Sequence, residues 1–146
     1  MSSFVTSVAV EQPPEEVFDA VRNVRGWWSG RIEGGTSDVG DEFTYEVPDV
    51  HWCRIRVTEV DPPRRVSWLV LDSWLTFTDV KDEWTGTTVT FDVLEQDGST
   101  QVRFTHEGLT PDTECYEPCS NAWTGYVNGS LRDLITTGVG QPNPAT

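Results

Sequence analysis

Two histidines and three cysteines hold much of the acid–base, nucleophilic and metal-binding capacity of this 146-residue chain. His106 closes the alternating run Val102-Arg103-Phe104-Thr105-His106, which puts it on one strand face with Val102 and Phe104. An imidazole on an inner face could serve as general acid or base, because its unperturbed pKa is about 6.5. The plainer expectation is a histidine hydrogen-bonded within the wall, since buried polar groups are generally satisfied. His51 shares a face with Cys53 but opens its strand, so an exposed or rim position is expected. Cys115 and Cys119 are four apart and would share a face of a continuous helix. With Cys53, His51 and His106 they could in principle form a zinc site. No CxxC knuckle occurs, however, and ligands from a rigid helix and two strands would have to converge. No metal is assigned. The thiols are read as buried structural groups, with a thiolate near the helix N-terminus as the reactive alternative. Glu83, Glu107 and Glu114 cannot be set across a substrate from their spacing. No GxSxG, HExxH, Walker loop or GxGxxG is present.

These groups need a scaffold, and the alternation supplies one. Phe4 to Val10 alternates as a first strand, and Pro13-Pro14-Glu15-Glu16 then suits the start of a short helix carrying Val17, Phe18 and Val21. A second short helical turn is expected around Trp27 and Trp28, then hairpin turns at Gly30, Gly34, Gly35 and Gly40. Strands follow with inner faces Phe43/Tyr45/Val47, His51/Cys53/Ile55/Val57 and Val66/Trp68/Val70, punctuated by Pro48-Asp49 and Asp61-Pro62-Pro63. Residues 72–82, with Trp74, Leu75, Phe77 and Val80, fit either a strand continuation or a loop over a pocket. Val89/Phe91/Val93 and Val102/Phe104/His106 flank a hairpin signal at Gln96-Asp97-Gly98-Ser99. Polar residues at alternate positions imply an antiparallel sheet with one face exposed. A long helix closes the chain, its apolar face running from Cys119 and Trp123 through Val127 and Leu131 to Ile135. Gly125 and Gly129 weaken it by about 1 kcal/mol each relative to alanine, so close approach to the sheet or room for a ligand is expected there. Gly138 caps it, and a polar tail runs from about residue 139.

Lys and Arg total 10 against 24 Asp and Glu, a net charge of −14. That balance argues against nucleic acid and anionic membrane surfaces as partners, because both need a positive patch. No apolar run reaches the roughly 20 residues of a membrane span, and no signal peptide is recognisable, so a cytoplasmic chain is expected. Seven Trp, six Phe and three Tyr supply core bulk or pocket walls.

The order of elements resembles the helix-grip domains of the SRPBCC (START-like) superfamily, and within it the branch named after the activator of the heat-shock chaperone ATPase. The resemblance is carried by residues 5–28, EWTGT at 83–87, FTHEGL at 104–109, ECYEPCSNAW at 114–123 and SLRDLITTGVGQP at 130–142. It implies an α+β fold: a seven-stranded antiparallel curved sheet wrapped around the C-terminal helix, with two short helices after the first strand, as one domain over 1–146. It further implies hydrophobic small-molecule binding between sheet and helix, cyclisation or dehydration of polyketides in some members, and chaperone binding in others.

The leading reading is therefore a binder of a hydrophobic or aromatic small molecule. Trp68, Phe91, Phe104, Trp123 and Tyr126 are expected to line the cavity, and His106 to orient a polar group. The alternatives are a cyclase or dehydratase with His106 as acid/base and Tyr126 as hydrogen-bond donor, and a module that regulates a chaperone or other protein partner. No cofactor is assigned, and a homodimer is left open.

Overall fold

Alternating inward residues close into one curved sheet in the computed structural model, which describes residues 3–28, 32–47, 49, 51–76, 78–79 and 81–142. The strands are β1 (Ser3–Val10), β2 (Glu33–Gly34), β3 (Glu42–Val47), β4 (His51–Asp61), β5 (Arg65–Leu75), β6 (Thr88–Gln96) and β7 (Ser99–Glu107). They pair antiparallel in the order β1-β7-β6-β5-β4-β3-β2. The helix-grip expectation thus holds. The sequence left residues 72–82 open; the strand continues to Leu75 and a loop follows. Expectations that fell on Gly30, Pro48, Phe77, Val80 and the end of the tail lie outside the described residues.

The chain crosses from one sheet edge to the other through α1 (Pro14–Arg22) and α2 (Val24–Trp27). Pro14 occupies the first turn of α1, where its missing N–H goes unneeded, and Glu15 and Glu16 sit at the positive end of the dipole. Asp97 and Gly98 turn the β6–β7 hairpin with φ of 51° and 83°, the left-handed pair that a two-residue hairpin favours.

The closing helix is three segments in series: α3 (Tyr116–Thr124), a π-helical stretch (Gly125–Leu131) and α4 (Arg132–Thr137). Cys119, Trp123, Val127, Leu131 and Ile135 are buried along it. Gly125 and Gly129 correct the expectation of close approach, since a Cβ at either would meet no atom within 4 Å. The tight passage is at Gly140 instead, where a Cβ would come within 2.4 Å of the Gly26 carbonyl oxygen. The Gln141 amide beyond it donates to Ser130 Oγ, which itself donates to the Trp27 carbonyl, both at 2.7 Å. The GVGQP motif therefore ties the chain end to α2 and the closing helix. Among the described residues, no helix is long and apolar enough to cross a membrane.

On the concave face Phe43, Ile55, Trp68, Phe91 and Phe104 are all but completely buried. On the convex face Arg56–Glu42, Arg54–Asp72 and Arg65–Asp92 pair across neighbouring strands at 2.7, 3.3 and 2.7 Å. The Arg56 hydrogen bond holds the Glu42 carboxyl below the usual carboxylate range, and Asp92 holds the Arg65 guanidinium above its ordinary value.

Candidate functional site

Helix and sheet part company at one end, and a hollow of about 550 Å³ remains there. Trp28, Tyr45, Val47 and His51 form its sheet side, and Trp84 reaches in from the β5–β6 loop. Pro118, Cys119, Ala122, Trp123 and Tyr126 form its helix side. The walls are mostly aromatic and rigidly stacked: Trp28 on Tyr45 at 4.1 Å and 16°, and Trp84 on Trp123 at 5.6 Å and 15°. Polar atoms are few. The Tyr45 and Tyr126 hydroxyls lie 3.5 Å apart, and burial pushes the Tyr45 phenol up.

Of the residues singled out by sequence, Trp123 and Tyr126 line this hollow. Trp68, Phe91, Phe104 and His106 do not. The first three fill the centre of the grip, where Phe91 meets Trp68 and Phe104 edge-on at 5.0 and 5.2 Å, and Phe104 meets Trp123 at 4.5 Å. They are mid-strand residues lying under the helix, so packing claims them.

His106 is likewise fully buried and occupied at both nitrogens. Trp123 Nε1–H donates to its Nδ1 at 3.1 Å. Its Nε2 lies 2.9 Å from Thr87 Oγ1, whose own proton goes to the Trp84 carbonyl at 2.5 Å. The partners settle the tautomer: Nδ1 accepts and Nε2–H donates. Burial, with a smaller push from His51, drops the His106 pKa to about 3. A neutral ring thereby joins β7, α3 and the β5–β6 loop.

His51 corrects the rim expectation. It is half-buried in the wall, edge-on to Trp84 at 4.4 Å, and its Nε2 is buried without a hydrogen-bond partner. Burial brings its pKa down to about 4.

Two of the acidic residues that spacing could not place, Glu83 and Glu114, each bind backbone amides across the gap between the β5–β6 loop and α3. The Glu83 carboxylate accepts the backbone amides of Glu114 at 2.8 Å and Cys115 at 3.0 Å. The Glu114 carboxylate accepts the Asp79 amide with both oxygens, at 2.8 and 2.9 Å. Cys115 is the N-cap of α3 and offers no side-chain cap of its own, so Glu83 supplies it from the loop. The loop that carries Trp84 is thereby clasped to the helix that carries Trp123. Replacing Glu83 by alanine leaves two amides unmet, and a loss of about 1–3 kcal/mol is expected in urea unfolding. A loss below about 0.5 kcal/mol would remove the clasp from consideration.

All three cysteines are free and buried. Burial pushes the Cys53 thiol up. A hydrogen bond from Cys119 lowers Cys115 and holds Cys119 itself protonated. Among the described residues, no three His, Cys, Asp or Glu side chains converge on a point where a metal ion could sit.

Comparison with known proteins places this geometry. The solution structure of the Aha1 dimer from Colwellia psychrerythraea superposes with a TM-score of 0.76 at 23% identity, covering 96% of this chain and all of that one (100%). DynU16, described as a putative protein in the dynemicin biosynthetic locus, gives 0.67 at 18% identity over 94% of this chain, which spans 48% of that one. CalU16 from Micromonospora echinospora gives 0.66 at 15% identity, covering 95% of this chain and 76% of that one. No curated protein matches in sequence. The model of the family described as "Activator of Hsp90 ATPase homolog 1-like protein" matches residues 11–136. With most of its length inside that match and the grip architecture in place, the chain belongs to the Activator of Hsp90 ATPase homolog 1-like family.

Proposed function

We propose that this protein binds a hydrophobic, largely planar small molecule in the hollow between Trp28, Trp84 and Trp123. The hollow itself carries the reading. Its volume of about 550 Å³ lies inside the range of small-molecule sites, roughly 300–1,000 Å³, and its walls are rigid aromatic faces with a few hydroxyls at one side. Rings stacked against the wall offer flat surfaces to a flat ligand, and the Tyr45–Tyr126 pair offers a polar anchor. The dynemicin-locus neighbour is in keeping with a small-molecule ligand. The cyclase alternative has less support, because His106 is held neutral, sealed from the hollow and bonded at both nitrogens.

The test is titration with N-phenylnaphthylamine, an uncharged aromatic fluorophore. Saturable binding in the micromolar range is expected, quenching the wall tryptophans. Ala122→Trp should lower that affinity by about tenfold or more with an unchanged melting temperature, because Ala122 is exposed at the helix side of the hollow. Unchanged binding in a folded Ala122→Trp variant, or no saturable binding by the parent, would sink the proposal.

A further inference from the structure

The convex face of the sheet carries a second aromatic feature that the hollow does not use. Trp52 on β4 and Trp74 on β5 are paired in register, and Glu46 on β3 is the partner of Trp52 on its other side. All three alternate with inward residues, so they stand in one row across the outer face. Trp74 is 53% exposed, unusual for a side chain that is highly buried on average. Beside the row the chain turns at Asp49, held by Thr76 Oγ1 donating to its carbonyl at 2.8 Å. Together with Val47 and His51, which also line the hollow, Glu46, Asp49, Trp52, Trp74 and Thr76 border a depression of about 220 Å³.

Chemistry selects the occupant. Indole faces attract cations, and carboxylates at their edge complete a cation site. The neighbouring cation, Arg54, is committed to Asp72 at 3.3 Å, and among the described residues no basic side chain pairs with Asp49. A second copy of the chain would bring its own charge of −14 against this acidic rim. The depression is smaller than the roughly 300 Å³ at which small-molecule pockets begin, so one long side chain fits it better than a whole ligand. Guanidinium stacks on indole and forks onto carboxylate, which a compact ammonium does less well.

We propose that this face docks an arginine-bearing segment of a basic protein partner, with the guanidinium against Trp74 and the Asp49 carboxylate at its edge. Val47 and His51 are common to the two walls, and the reading uses neither.

The probe is the peptide acetyl-Gly-Arg-Gly-amide, titrated while the tryptophan indole N–H resonances are followed by NMR. Saturable shifts at Trp52 and Trp74 are expected in the millimolar range, weakened by added salt. The citrulline peptide, equal in shape but uncharged, should bind at least about tenfold more weakly, and the lysine peptide about threefold more weakly. Trp74→Ala and Asp49→Asn should each weaken binding about fivefold. Both sites are exposed, and asparagine tolerates the φ of 63° at position 49, so both variants should fold. Equal binding of arginine and citrulline peptides, shifts confined to Trp28, Trp84 and Trp123, or indifference to Trp74→Ala would overturn the proposal. A lysine peptide binding as tightly as the arginine peptide would overturn the choice of arginine. A homodimer that Trp74→Ala dissociates would also overturn the proposal, by showing that a second copy covers this face.

Discussion

His106→Ala is expected to destabilise the protein by about 3–5 kcal/mol, the largest effect of any single substitution considered. The ring is fully buried, so its loss leaves a cavity in a wall that cannot collapse easily between Trp84, Phe104 and Trp123. It also leaves the Trp123 indole N–H and the Thr87 hydroxyl oxygen without their partner. Because total stability is typically only about 5–15 kcal/mol, the alanine variant will sit close to unfolding. Thr87→Val is a milder probe of the same network, with an expected loss of about 1–3 kcal/mol in urea unfolding. A fully stable His106→Ala protein would mean that the ring is not a structural linchpin, and would restore it as a candidate for chemistry.

A steep loss of stability between pH 7 and pH 5 is the second large effect. Both histidines are held neutral by desolvation, with pKa values lowered to about 3 for the fully buried His106 and about 4 for the half-buried His51. In the unfolded chain each titrates at about 6.5 and takes up a proton that the folded state refuses. Their contribution is therefore complete above pH 6.5 and drains away as the pH falls toward the folded values. Each histidine accounts for about 2 kcal/mol by pH 5, or about 4 kcal/mol together, before most carboxylates titrate. His51→Gln should flatten the pH profile by about half. A flat profile in the parent would show that the two rings protonate in the folded state without penalty.

The strands and the closing helix were legible because one face of each is wet and the other dry, which imposes clear periods on Phe43 to Val47, Val89 to Val93 and Val102 to His106. The same signal did not separate residues that line the hollow from residues that fill the grip. An inward alternation says that a side chain faces the grip, not whether the helix lies over it. Trp68, Phe91 and Phe104 sit mid-strand beneath the helix and are filled in, whereas Tyr45, Val47 and His51 flank the β3–β4 turn, where a hollow separates most of the sheet wall from the helix. Distance from the strand end was the usable clue. The role of Trp84 was hidden in a loop with no period. Its neighbour Glu83 could not be paired with Glu114, 31 residues away, because backbone amides, not side chains, donate to the two carboxylates.

The π-helical stretch has a sequence trace too. Cys119, Trp123, Val127, Leu131 and Ile135 recur at a strict spacing of four, whereas an α-helix turns in 3.6 residues, so each step overshoots by about 40° and four steps by about 160°. The wider coil of Gly125–Leu131 absorbs part of that drift and keeps both ends of the ridge facing the sheet. The stretch therefore acts as a phase corrector between two gears. Losing one residue there would let the coil close to ordinary α-helix and, at about 100° per residue over the remaining steps from Trp123 to Ile135, leave the two ends within about 20° of phase.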